Sequence, residues 1–227
     1  MAPRASVLFP GECYPDYSDR PLYSFLAKHY GWWNRYTQKG RLAPADVHPF
    51  QLQKAGTNKT NYHQRIPYQS KDMTNDLEEC QILEGILSPI TQFLDEQLSQ
   101  LLPQEHSKLA SLGETLPGAA TPPAYPFTNF VVNICASTSA HKDSNDEGLC
   151  VVIPFGDYTG GELCLYEPGL TFPIQPGDIL MFPSSKFTHF NLHFNGFRGS
   201  FVLHTDKKLG EWKVQRNHWN HIHRHEA

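Results

Sequence analysis

The pattern of apolar and polar positions changes character at about residue 125. Over residues 73–102, apolar side chains recur at threes and fours, through Leu77, Ile82, Ile86, Ile90, Phe93, Leu94, Leu98 and Leu101. That spacing predicts an amphipathic helix. Asp72 or Thr74 suits its N-cap, and Pro89 predicts a break or kink. One apolar face implies that the helix packs on the outside of a sheet. Residues 22–30, closed by Gly31, predict a shorter helix. After residue 125 the helical spacing gives way to short apolar runs at 127–135, 149–155, 161–166, 179–182 and 200–204. Turn residues separate them, so they predict strands. Pro176-Gly177 has the order of a type II turn, and Gly160-Gly161 marks a tight turn or bulge where no side chain fits. Residues 1–21 read as an irregular arm, 44–71 as a long polar loop or a segment with short strands, and 103–126 as a connector.

These elements predict a mainly β fold with flanking helices, a double-stranded β-helix (jelly roll). The expected organisation is one domain over 1–227. It comprises a helical and loop support region at 1–124, a jelly-roll core at 125–206 and a basic tail at 207–227. The tail carries four histidines and is expected to be a solvated segment.

Composition narrows the function classes. A net charge of −4 gives no global attraction to nucleic acid. Five cysteines, an odd number without C-x-x-C spacing, support neither a disulfide framework nor a zinc site. No apolar run approaches a membrane span, and no signal-peptide core opens the chain. The expected setting is intracellular, cytoplasmic or nuclear, with no membrane association and no obligate protein partner.

His141 and Asp143, two apart, reach one point from an extended segment. His189 joins them if the intervening strands fold back. Two histidines and one carboxylate on one face of a metal are the facial triad of non-haem iron(II) oxygenases. His193 is a rival for His189; the spacing from His189 to Arg198 leaves room for a turn at Asn195-Gly196 and a return strand. Residues 143–148 resemble the opening of a calcium loop, but Pro154 stands where a bidentate Glu is required, which excludes it. Arg198 and Ser200 share a strand face, and a guanidinium beside a hydroxyl suits a carboxylate. Trp32, Trp33 and Tyr36, with Arg35, Lys39 and Arg41, form either a substrate wall, a nucleic-acid contact or core packing with wet basic groups.

Taken in order over residues 127–206, His141-x-Asp143, Gly161-Glu162-Leu163, Pro176-Gly177-Asp178, His189 and Arg198-x-Ser200 resemble the iron(II)/2-oxoglutarate-dependent dioxygenase superfamily. The pattern is most similar to small fungal oxygenases near the ten-eleven-translocation and J-binding-protein branch. The resemblance implies an enzyme whose metal is held by His141, Asp143 and His189. It implies iron(II), O2 and 2-oxoglutarate as cosubstrate, with Arg198 on the distal carboxylate and a further contact from Asn129 or Asn133. Succinate and CO2 would be the co-products. The expected reaction is hydroxylation or oxidation of a C–H bond in a small organic molecule, aromatic ones included, as in secondary metabolism, with Trp32, Trp33 and Tyr36 as substrate residues. The alternative is oxidation of methylated bases in nucleic acid. A non-catalytic cupin-like module has the same shape, but cupins usually offer H-x-H and a glutamate where this chain has H-x-D and then Arg198.

Overall fold

The computed structural model describes residues 26–34 and 67–215. A six-stranded antiparallel sheet has the order β2-β1-β3-β9-β4-β7, and a three-stranded one has the order β6-β5-β8. The strands of the large sheet are β1 (Leu26–Trp33), β2 (Tyr68–Gln69), β3 (Asn129–Ile134), β4 (Cys150–Gly160), β7 (Leu180–Phe182) and β9 (Phe194–His204). The small sheet contains β5 (Leu163–Leu165), β6 (Leu170–Phe172) and β8 (His189–Asn191). Together they form the jelly-roll core, with α1 (Lys71–Asn75), α2 (Leu77–Leu101), α3 (Pro103–Gly113) and α4 (Lys208–Gln215) around it.

Strand parity sorts every side chain of the large sheet. Phe130, Val132, Val151, Ile153 and Leu203 face α2 and meet Leu83, Leu87, Leu94 and Leu98 in the main core. Each such leucine contributes about 1.5–3 kcal/mol by leaving water. The alternate positions, among them Asn133, Arg198, Ser200 and His204, face the small sheet. A second cluster of Cys150, Leu163, Leu165, Ile174 and Phe182 joins the two sheets. The cavity described below lies beside it.

Five local expectations are corrected. The stretch expected to be helical at 22–30 is, where described, β1. It pairs with β3 from Leu26↔Ile134 to Gly31↔Asn129. Burial of Tyr30 on one face and Trp33 on the other rewards the extended form over local helical preference. The cap of α1 is neither Asp72 nor Thr74 but Ser70, whose hydroxyl accepts the Met73 N–H at 3.2 Å. α2 runs as one helix through Pro89. The connector at 103–126 contains α3, which starts with Pro103 in the first turn, where its missing N–H costs nothing. The tail, for its part, begins as α4 rather than as a solvated segment: Leu209 is buried with Leu112, Leu116 and Trp32, and Trp212 Nε1–H donates to the Thr115 carbonyl at 2.9 Å. Among the described residues, no helix is long and apolar enough to cross a membrane.

Candidate active site

His141 and His189 lie opposite each other in an isolated antiparallel bridge. The His141 N–H donates to the His189 carbonyl at 3.2 Å, and the His189 N–H donates back at 2.9 Å. Residues that exchange both bonds point their side chains the same way, and the imidazole centroids are 4.4 Å apart. Asp143 follows two residues later on the same side, its N–H bound to the Ser184 carbonyl at 3.1 Å. One Asp143 oxygen is 3.8 Å from His141 Nε2 and the other is 3.4 Å from His189 Nε2. One donor atom from each of the three residues can be chosen so that all lie within 4.8 Å of one another.

The remaining ring nitrogens fix the tautomers. His141 Nδ1–H donates to the Ser139 carbonyl at 2.8 Å, and His189 Nδ1–H to the Phe187 carbonyl at 3.0 Å. A carbonyl only accepts, so in the neutral form of each ring the Nε2 lone pair faces the centre. Two imidazoles and one carboxylate converging from one side, with no fourth protein donor among the described residues, fit an open-faced metal centre. Burial works against a charged His189, yet its bond to Asp143, aided by the Phe187 carbonyl, leaves its pKa raised. His193, the rival, is exposed in the turn between β8 and β9, where its carbonyl accepts the Gly161 N–H at 2.9 Å. The turn expected at Asn195-Gly196 is not there: β9 already begins at Phe194, both residues pair with β4, and residues 192–193 connect β8 to β9.

Arg198 sits on β9 and lines the same cavity of about 240 Å3. It is 2% exposed. Its Nε and one terminal nitrogen have no hydrogen-bond partner among the described residues. Tyr158 and Phe194 flank the guanidinium, at 5.4 and 5.8 Å from its carbon to the ring centroids. Burial pushes the Arg198 pKa below its ordinary value, and Tyr158 opposes that. A guanidinium stays protonated in proteins, so this is a buried cation without a counter-ion. Gly161 packs against it: a Cβ there would lie 3.0 Å from Arg198 Nε, and φ is +73°. The glycine pair thus serves the arginine as well as the turn. Ser200 and Asn133, directly opposite each other on β9 and β3, also line the cavity.

Two expected site residues lie elsewhere. Asn129 is fully buried at the end of β3, donates to Thr128 Oγ1 at 2.9 Å and does not line the cavity. Trp32 turns to the opposite face of β1 and packs with Leu112, Leu116 and Leu209. Trp33 does line the cavity, its ring 5.9 Å from His29 and 5.4 Å from His204. Tyr36, Arg35, Lys39 and Arg41 lie outside the described residues.

Sequence reading missed His204 and Asp146. Both are buried in the cavity wall, with His204 Nδ1 3.0 Å from one Asp146 oxygen and the Ser184 hydroxyl donating to the other at 3.1 Å. The parity of Arg198 and Ser200, carried two steps further, reaches His204 and was available in the sequence. Nothing local distinguishes Asp146 from its polar neighbours.

No protein-family model matches the chain, and no curated protein matches it. Among solved structures, the chain is similar to NgTET1 in complex with 5mC DNA, with 18% sequence identity and a TM-score of 0.56. The similarity covers 80% of this chain and 61% of that one. An oxidoreductase of the 2OG-Fe(II) oxygenase family from Burkholderia pseudomallei matches at 20% identity over 36% of this chain and 44% of that chain, with a TM-score of 0.32. The first likeness shows a shared fold.

Proposed function

We propose that the chain is an iron(II)- and 2-oxoglutarate-dependent oxygenase. The observation that carries this reading is Arg198: a buried, uncompensated cation facing the same cavity as the His141, Asp143 and His189 donors. A metal centre alone does not call for it, but a cosubstrate with a free carboxylate does. A bidentate, charge-assisted pair would satisfy the orphaned Nε and terminal N–H together. Ser200 and Asn133 add a hydroxyl and an amide on the same wall.

His141, Asp143 and His189 would hold the metal, and iron(II) with 2-oxoglutarate and O2 supplies the oxidising power to insert oxygen into a C–H bond. The chain's own contribution is positional. The Ser139 and Phe187 carbonyls hold the imidazoles in the ligating tautomer. Tyr158, Phe194 and Gly161 hold Arg198 in place. Val131, Leu163 and Val202 give the cavity dry walls. Trp33 and His29 present a partly aromatic wall for a flat substrate.

The substrate proposed is a small aromatic molecule. The described part of the cavity is smaller than the ~300–1,000 Å3 common for ligand pockets, so a cosubstrate and a compact substrate would fill it. Several surface lysines are already neutralised: Lys28 by Asp76 and Glu79, Lys108 by Glu147, Lys142 by Glu167 and Lys208 by Glu211. That leaves fewer of them for a phosphate backbone. The likeness to a structure holding 5mC DNA favours a second reading, oxidation of a methylated base. Succinate release against methylcytosine-containing DNA and against a panel of aromatic metabolites, at low and moderate salt, separates the two. DNA turnover suppressed by salt supports the second reading, since phosphate contacts are salt-sensitive. Turnover of small aromatics, indifferent to salt, supports the first.

A further inference from the structure

The three candidate ligands come from two chain segments. Lys142 stands between His141 and Asp143, and Thr188 immediately precedes His189. One carboxylate touches both segments. Glu167 Oε1 accepts from Lys142 Nζ at 2.7 Å and from the Thr188 hydroxyl at 2.8 Å, while Oε2 accepts the Thr188 N–H at 2.6 Å. We infer that Glu167 is a positioning residue that fixes the separation of the two ligand-bearing segments, an inference that rests on the iron reading above.

Glu167 is itself held. It follows β5 in a turn closed by the Gly169 N–H on the Tyr166 carbonyl at 3.0 Å, with Gly169 at φ +66°. Pro168 restricts the backbone of the residue before it to extended conformations. The Tyr166 N–H donates to the Thr188 carbonyl at 2.9 Å, so Thr188 is bound through its carbonyl, its N–H and its hydroxyl by two successive residues. The Lys142 ammonium, with the Thr188 bonds, keeps the Glu167 carboxyl ionised, its pKa lowered to about 2 despite the opposing effect of desolvation. An exposed ion pair contributes little to global stability. Its significance is where it sits: the single-residue steps from Lys142 and from Thr188 lead directly to all three donors, so slack in either bond widens the donor triangle. Removing the partners that orient metal ligands commonly weakens metal binding by about 10- to 100-fold. Glu167 acts one bond further out, so the low end is expected.

The test is a Co(II) titration of the full chain under anaerobic conditions, read by cobalt d–d absorption and by calorimetry, with circular dichroism as the control for folding. Glu167→Ala should raise the Co(II) Kd about tenfold. Glu167→Gln keeps an acceptor for Thr188 but loses the charge facing Lys142, and should raise Kd about threefold, as should Lys142→Met. The Glu167→Gln/Lys142→Met double variant should be no worse than either single one, because both remove the same pair. Folded Glu167→Ala protein with a Kd within twofold of wild type would overturn the inference. If Glu167→Ala does not fold, unchanged Kd values in Glu167→Gln and Lys142→Met overturn it equally. Wild-type protein that fails to bind Co(II) at all overturns the iron reading, and this inference with it.

Discussion

Strands β4 and β9 of the large sheet run for eleven residues each, pair with each other along their length and are backed by α2. Strands β5, β6 and β8 of the small sheet have three residues apiece. Both sheets furnish the same cavity: Arg198, Ser200 and Asn133 come from the large one, His189 and Asn191 from the small one. The large sheet holds its polar residues by continuous ladders and a deep core behind them. The small sheet pairs its ligand strand with β5 over only three residues, and point contacts add to that ladder: the bridge to His141, the Phe187 carbonyl on the ring, and the Glu167 carboxylate on Thr188. A charge without a counter-ion is seated in the rigid half, and the donor that must meet two others is seated in the adjustable half.

The harshest way to break that division is to remove the donor. His189→Ala should abolish tight metal binding, a loss of more than about a hundredfold, the upper end of what losing a mere supporting partner costs. His193→Ala should bind normally. Iron(II) or Co(II) titration of the two variants decides between them, and the reverse result would move the distal ligand to His193.

Behind the rigid half, Leu87→Ala should lower unfolding stability by about 2–5 kcal/mol, measured by denaturant melts, because Leu87 is fully buried between α2 and the large sheet. In protein that remains folded, the metal affinity should be unchanged, since no ligand leans on that position.

Arg198→Ala tests the charge in the rigid half. Losing one partner of a buried charge pair costs about 2–5 kcal/mol. The 2-oxoglutarate requirement should therefore rise by roughly one to three orders of magnitude, with metal affinity nearly normal. An unchanged 2-oxoglutarate dependence in steady-state succinate assays would remove Arg198 from the site.

The smallest effect is on β1, next to the edge strand of the large sheet. Trp33→Ala should raise the KM for an aromatic substrate roughly 2- to 10-fold, the worth of one aromatic contact. Trp32→Ala should instead lower the melting temperature and leave KM alone, because its ring packs toward α3 and α4.

Much of this architecture was legible in the chain. The threes-and-fours mark a helix because its period is local, but the face was only partly read: Leu94 and Leu98 are buried against the sheet, whereas Leu77, Ile82, Ile86, Phe93 and Leu101 are exposed and Leu83 and Leu87 take the buried positions. The order of His141, Asp143, Gly161, His189 and Arg198 was readable because each residue type has few chemical uses in that combination. Parity alone put Arg198 and Ser200 on one face, and the structure agrees.

What the sequence did not determine depends on pairing between distant residues. Residues 26–30 have side chains that tolerate helix or strand, and only the register against β3 made them β1. Asn129 and Asn133 have the same parity, but only the extent of the cavity admits one and leaves the other beside Gly31. Trp32 and Trp33 are neighbours in the chain, and which one faces the cavity followed from which face of β1 met α3 and α4. Asp146 acquired its place against His204, 58 residues away, and Glu167 against Lys142 and Thr188, through closure of the two sheets. Local spacing fixes which face a side chain takes along its own element. Only the packing of elements from distant parts of the chain fixes what that face meets, because those contacts form between residues whose separation in sequence carries no periodic signal.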